Sequence, residues 1–496
     1  MSTLSPSGIK SKGFSYTNFM GIDASRDKSS LDTGENQHLV LLQDGFCDWR
    51  GSIIRNHGVE YHKNIDKIIQ HVKFFSRDNV CFVQQDGGGL SLNSDNDHLI
   101  QEAFTTGSIV TSTVFNQKVF MMSKDQTTYS YDGSVWSTVT PLDHLKPAYG
   151  VSIGRRLAVA GITGKPTEIH FSRVDDENYF AEQEAADETS VTRGAFLDIK
   201  NLIGTADEIK GLGVLESNKL AIFTNDQVII YNIEASYENW VLEDKVSVQT
   251  GTISHNSIVR YGTDLIYCGR DGIHSVKRSM ENGVTIYSES LSSKVDIKYR
   301  SLLQKCPNVE LVSSTYDADE GHLHFFFPTS SHKICEKLTY AINPMPQEES
   351  KWSTGFHLNS RCGDFLGGRL ILGTSGGLFK TKNIEDTSDF SPTMIVTTPI
   401  LWHGSLNTTK ESISFILHAS GFGDLLIECF NEKGRMIDSI NQTIDDTGDD
   451  NNFPDVPLTR QYERQFLHRY RGVQFKFTSS GSGILRIMGL AINVRN

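Results

Sequence analysis

GTISHNSIVRYGTDLIYCGRDGIHSVKR, residues Gly251 to Arg278, decides the fold. Asn256 to Tyr261 alternates apolar and polar residues, Gly262-Thr263 turns, and Asp264 to Cys268 alternates again. Asp271-Gly272 then opens a third run through Ile273 and Val276. Alternation with period two, punctuated by Gly and Asp turns, predicts three antiparallel strands. Three strands alone bury too little apolar surface to be stable, so this unit requires neighbours of its own kind.

The chain supplies them. A short apolar strand followed by a polar turn and a second strand recurs around Val80, Val119, Leu157, Leu220, Leu265, Leu323 and Leu370. The anchors lie roughly 40 to 60 residues apart, the spacing of propeller blades loosely kept. Ser108 to Val139 is the fullest copy, with SIVTSTVF, KVFMMS, TTYSYD and VWSTV reading as four strands. The expected fold is all-β, a β-propeller of six or seven blades, with an elongated array of β-sandwiches as the rival. Residues 1–60 lack the blade pattern and read as an extended N-terminal arm. The propeller is expected over 61–396. From about Thr397 longer antiparallel strands predict a C-terminal β-sandwich over 397–496. Ile65, Ile68, Ile69 and Val72 fit a helix or the start of the first blade equally well, whereas Leu291 to Gln304 carries helical spacing that stops before Pro307.

Composition narrows the function. Seven cysteines, odd in number and without a CxxC pair, read as small core residues in a reducing compartment. No segment approaches a membrane span, and the N-terminus lacks an apolar run long enough for a signal peptide, so folding in the cytoplasm is expected. The formal net charge of −13 argues against wrapping nucleic acid by phosphate neutralisation.

Several candidates for chemistry have plainer structural readings. Ser130 to Trp136 approximates the Asp-box turn of sialidase-like propellers but is one residue short, and such turns are structural even when complete. His322 and His324 alternate on one strand face and could hold a metal, but no third ligand is evident and three phenylalanines follow. Asp317 to Glu320 and Asp445 to Asp450 are acidic loops without calcium-loop spacing. Gly87-Gly88-Gly89 lacks the following helix and Lys-Ser/Thr of a phosphate cradle and reads as a hairpin turn. Arg460, Arg464, Arg469 and Arg471, with Tyr462, Phe466 and Tyr470 between them, form the one concentrated basic and aromatic stretch. They are the candidate contact with a neighbouring subunit or partner, set against a solvated sheet edge. No catalytic, cofactor or metal residue is expected.

A resemblance sharpens this reading. Asn18-Phe19-Met20-Gly21-Ile22-Asp23, then Leu31, Gly34-Glu35 and Leu39, then Gly51, Ile54-Arg55 and Gly58, resemble the opening of tail proteins of short-tailed bacteriophages. Arg155 to Gly161, Lys165-Pro166, Ile169 to Ser172 and Asn178-Tyr179-Phe180 resemble the R-L-x-V-A-G…P…F-S…N-F segment of the same family. Gly211 to Ile233 and Gly251 to Val276 are similar to its consecutive blades. The resemblance implies a tail hub or nozzle that extends the DNA channel below portal and adaptor, retains packaged DNA and conducts it during ejection. It further implies a virion location after assembly in host cytoplasm and a homo-oligomeric ring of six. The implied partners are the tail adaptor, tail fibre or spike proteins, and double-stranded DNA that passes without tight binding. The alternatives are a propeller glycosidase or carbohydrate-binding adhesin, and a scaffold for peptide ligands.

Overall fold

The computed structural model describes residues 11–31, 36–64, 67–76, 79–84, 89–92, 97–100, 103–180, 193–204, 206–246, 251–276, 290–329, 335–342, 351–381, 390–403, 407–445, 460–465, 467–481 and 485–495. They form two compact units. One comprises Tyr61–Lys337 and Leu358–Lys380; the other comprises Met1–Glu60, Leu338–His357 and Thr381–Asn496.

The first unit holds a propeller arrangement of five four-stranded blades. Four follow one another in the chain, with first strands Ile69–Ser76, Thr111–Phe115, Tyr149–Ile153 and Ile209–Glu216. The last blade is Cys362–Leu366, Arg369–Gly373 and Gly377–Thr381, completed on its outer side by Val59–Asn64 from far earlier in the chain. Between the fourth and the last come the three-stranded sheet Val259–Tyr261, Asp264–Cys268 and Ile273–Ser275, and the pair Ser313–Asp317 with His322–Phe327. The first strands of all these sheets touch in succession, and Cys362–Leu366 returns to Ile69–Ser76.

Burial explains the pattern. Each apolar anchor of the sequence falls in the second strand of a sheet, and these strands are almost wholly buried: Asn79–Gln84, Arg156–Ala160 and His322–Phe327 throughout. A sheet packed between two others loses the alternation of a half-exposed strand, which is why RLAVA and HLHFFF read as continuous apolar runs. The cores lie between consecutive sheets. Phe120 and Met122 pack with Leu157 and Val159; Phe171 packs with Leu220 and Ile222; Phe223 packs with Leu265 and Tyr267. Phe82 and Ile69 pack with Ile371 and Leu378, closing the ring. The Asn116-Gln117 turn has both residues at positive φ (46° and 58°), the geometry that matches hairpin twist. Residues 69–76, ambiguous by periodicity, are strand. The predicted helix runs Asp296–Lys305, with Tyr299 and Leu302 buried and the Tyr299 hydroxyl donating to the Gly269 carbonyl at 2.5 Å.

The second unit departs from the expected arm and separate C-terminal domain. Ser11–Tyr16 pairs along its length with Leu485–Arg495, from Ser11 opposite Arg495 to Tyr16 opposite Leu490. Gly45–Cys47 and Ile53–Arg55 extend the same sheet, and Asn18–Ile22 pairs in parallel with Asn36–Leu39. The N-terminal 60 residues and residues 381–496 therefore share one unit, not two. Lys351–Gly355 is grouped with this unit, where it lies between Glu336–Ala341 and Leu41–Gln43 and pairs in parallel with the latter. The propeller unit accordingly lacks 338–357 and ends at Lys380 rather than 396.

At its centre is the long strand Lys410–Asn431. Its first half pairs with Leu485–Arg495 and Arg460–Gln465, its second half with Met436–Asp445 and Val473–Ser480. The switch occurs at Gly421-Phe422-Gly423, where both glycines have positive φ (99° and 140°) and a Cβ on Gly423 would lie 2.6 Å from the Ser480 carbonyl oxygen. Phe415 from the first half meets Phe475 with ring centroids 5.5 Å apart.

Candidate functional site

A partly open cavity of about 640 Å³, within the size of small-ligand pockets, lies where several successive sheets begin. Its wall is made where successive sheets begin. Tyr149 and Lys210 open or nearly open first strands, and Glu310 and the turn His255–Ser257 lie just before others. Residues as far apart in sequence as Gly107 and Glu310 converge there.

Its charges are paired. Lys210 Nζ lies 2.6 Å from Glu208 Oε1 and 3.1 Å from Glu310 Oε1, and the two carboxylates hold its pKa above the ordinary lysine value against the opposing effect of burial. Burial, aided by the charge of Glu310, raises the Tyr149 phenol to about 12. Tyr149 stacks on His255 with centroids 5.3 Å apart and an interplanar angle of 26°. His255 Nδ1 accepts from the Leu212 amide at 3.2 Å, which assigns the ring proton to Nε2. Desolvation lowers this imidazole to about 4. On the first blade His71 shares a 2.7 Å hydrogen bond with Ser112, and burial, with the charges of Lys73 and His255, depresses it to about 3. The Asn256 side-chain amide donates to the Val110 carbonyl at 2.9 Å.

The sequence candidates fare differently. Asp132 Oδ1 accepts from the amides of Ser134 and Val135, both at 2.8 Å, while Tyr131 pairs with Trp136, so the near Asp-box is a hairpin clamp. His322 and His324 are buried with centroids 5.9 Å apart, and among the described residues no group of three or more His, Cys, Asp or Glu side chains gathers as a metal site. Asp317 caps its own turn by accepting from the amides of Asp319 and Glu320. Gly87-Gly88 and residues 446–450 lie outside the described residues. All seven cysteines are buried and unpaired with one another. No helix among the described residues is long and apolar enough to cross a membrane.

The arginines lie along one flank of Lys410–Asn431. Arg460 stands opposite Ala419, Arg464 opposite Phe415 and Arg469 opposite Glu411. Arg464 is exposed and donates to Gln442 Oε1 at 3.1 Å; Arg469 is 77% exposed and lies 3.7 Å from Glu411 Oε1. Arg471 is exposed, and its carbonyl accepts from Lys410 Nζ at 3.1 Å. Arg464, Arg469 and Arg471 are not among the residues that line the cavity. Sequence reasoning missed Tyr149, Glu208, Lys210, His255 and Glu310. Aligning the hairpin repeats and comparing the residues at the start of each first strand would have found them.

No family model and no curated protein matches the chain. Among solved structures it is similar to the WD40 β-propeller domain of Doa1, at 10% identity over 66% of this chain and 98% of that one, with a TM-score of 0.38. It is also similar to Raptor of Chaetomium thermophilum, at 11% identity over 66% of this chain and 29% of that one, with a TM-score of 0.40.

Proposed function

We propose that this chain is a non-enzymatic virion protein, the tail hub or nozzle of a short-tailed bacteriophage, whose copies ring the DNA channel below portal and adaptor. What supports the reading most is the position of the residues that carry the resemblance to that family. In the R-L-x-V-A-G…F-S segment, the fully buried Arg156 donates through Nη1 to the Ser172 carbonyl at 2.8 Å, and Ser172 Oγ accepts from the Leu157 amide at 2.9 Å. In the N-x-x-G-I-D segment, a Cβ on Gly21 would lie 2.7 Å from the Trp352 carbonyl oxygen, and Gly51 approaches Asn18 as closely. The resemblance thus falls on positions that both units need in order to fold, in segments far apart in the chain.

In this reading the three-stranded sheet and the Ser313–Phe327 hairpin are two further blades, making seven, and the two sheets sharing Lys410–Asn431 are a β-sandwich that includes the N-terminal strands. DNA travels between copies. A channel wall drawn from a chain of net charge −13 repels phosphates and lets a duplex slide. Imaging the purified protein alone and with adaptor and fibre proteins tests this: a closed homomeric ring, probed against six-fold symmetry, that caps the adaptor is the expected result. A monomer that ignores the adaptor, or submicromolar and steeply salt-dependent affinity for double-stranded DNA in a filter-binding assay, overturns it.

A further inference from the structure

The cavity has a chemical bias that the hub reading does not use. Several of its donors are engaged within its own wall. Gln126 Nε2 donates to Ser108 Oγ and Ser123 Oγ, the Thr111 hydroxyl to the Ala148 carbonyl, Ser254 to the Glu310 carbonyl, and Asn256 to Val110. Lys210 lies between two carboxylates. Its acceptors are in surplus. Glu208 and Glu310 each meet Lys210 through one oxygen, so two carboxylates face one ammonium, while Lys124 and Asp125 at the rim offset one another. Beside them lies the flat Tyr149–His255 pair, and the depressed imidazole adds no positive charge near neutral pH.

We propose that this cavity is a binding site for a guanidinium group, presented as an arginine side chain on a peptide segment of a partner protein. A guanidinium brings five donors and no acceptor in a planar fork that suits carboxylates, and it stacks on aromatic faces. Its charge neutralises the excess of the Glu208–Lys210–Glu310 group. A phosphate or carboxylate ligand meets that same excess as repulsion. A neutral polyol finds acceptors but few open donors. The site is built within one copy of the chain and does not depend on ring assembly, so its failure leaves the hub reading intact.

The test is titration calorimetry on the full-length protein with a capped Gly-Arg-Gly peptide and its Gly-citrulline-Gly counterpart, which keeps the shape and removes the charge. Saturable binding of the arginine peptide is expected, with affinity at least about ten-fold weaker for citrulline, the scale of one lost charge-assisted contact. Glu208→Gln with Glu310→Gln weakens the arginine peptide by a similar factor. Lys210→Met, which removes the competing cation, strengthens it, an opposite sign that mere loss of structure does not produce. Absence of binding, equal binding of the citrulline peptide, or weaker binding by a Lys210→Met protein with native near-ultraviolet circular dichroism overturns the proposal.

Discussion

The side-chain amide of Asn256 reaches the carbonyl of Val110 across the interior of the ring of first strands. Val110 precedes Thr111–Phe115 and Asn256 precedes Val259–Tyr261, two strands that are not neighbours in the ring. Two groups a hydrogen bond apart leave no room for a duplex, so the axis of one propeller is not a DNA bore. Asn256→Ala removes the donor and leaves the Val110 carbonyl unmatched. We expect a loss of about 1 kcal/mol in urea denaturation; an unchanged midpoint would show that the bond adds nothing to stability.

Arg156 is a stronger case. Its guanidinium is fully buried, reaching the carbonyls of Ser172 and Arg193, and desolvation lowers its pKa. Arg156→Met abandons those carbonyls in the interior and is expected to destabilise by about 3 kcal/mol or more. Arg156→Lys should recover only part of this, because an ammonium cannot reproduce the planar fork. Thermal melts of the two variants decide the order.

Acid should loosen the propeller through His71 and His255. Their folded pKa values, about 3 and about 4, lie below the ordinary 6.5, so the unfolded chain binds more protons between those limits. Stability is therefore highest above about pH 6.5 and falls as pH drops toward 4, before most carboxylates titrate. His71→Gln, which can keep a hydrogen bond to Ser112, should flatten this slope. Denaturation midpoints across that window measure it; an identical slope in the variant counts against the histidine account.

Removing residues 1–36 should do more than detach an interface. It deletes Tyr16, Phe19, Ile22 and Leu31, each at most 4% exposed, and strips the partner from Leu490–Arg495. Burial of such side chains contributes about 1.5–3 kcal/mol each, which together rivals the whole stability of a typical domain. Proteolysis should then degrade the second unit while the propeller resists. Retention of a protease-resistant C-terminal fragment would show that the N-terminal strands are dispensable.

Arg464→Glu and Arg469→Glu should leave the fold within about 0.5 kcal/mol of the parent, since both side chains are exposed and their partners are peripheral. Under the proposed function the pair should fail to pull down a neighbouring subunit or the adaptor. Normal capture by a folded double variant would reduce this stretch to a solvated edge.

How much of this is legible in the sequence depends on distance along the chain. Val119 and Leu157 announce their strands because hairpins pair with the next residues in sequence, and their turns carry local signals. Ser11–Tyr16 announces nothing, because its partner ends at Arg495 and no local pattern encodes that pairing. Lys351–Gly355 reads as a strand from its composition, but its parallel pairing with Leu41–Gln43, far earlier in the chain, has no local signature either. The arginines were visible as a cluster of one residue type. Glu208, Lys210 and Glu310 were not, since a charge pair separated by 100 residues has no signature short of the fold that joins it.

The pairing of Ser11–Tyr16 with Leu485–Arg495 also sets an order of events at the ribosome. Ser11–Tyr16 must wait for Leu485–Arg495, and the propeller's closing strand, Val59–Asn64, must wait for Gly377–Thr381. The second unit therefore stays incomplete until residues 485–495 have been made, whereas the propeller needs the chain only as far as Thr381. Such non-local pairing makes folding slow, leaves strand edges open meanwhile, and delays formation of the second unit's surface until Leu485–Arg495 has been made. Truncated products are thereby kept from presenting it.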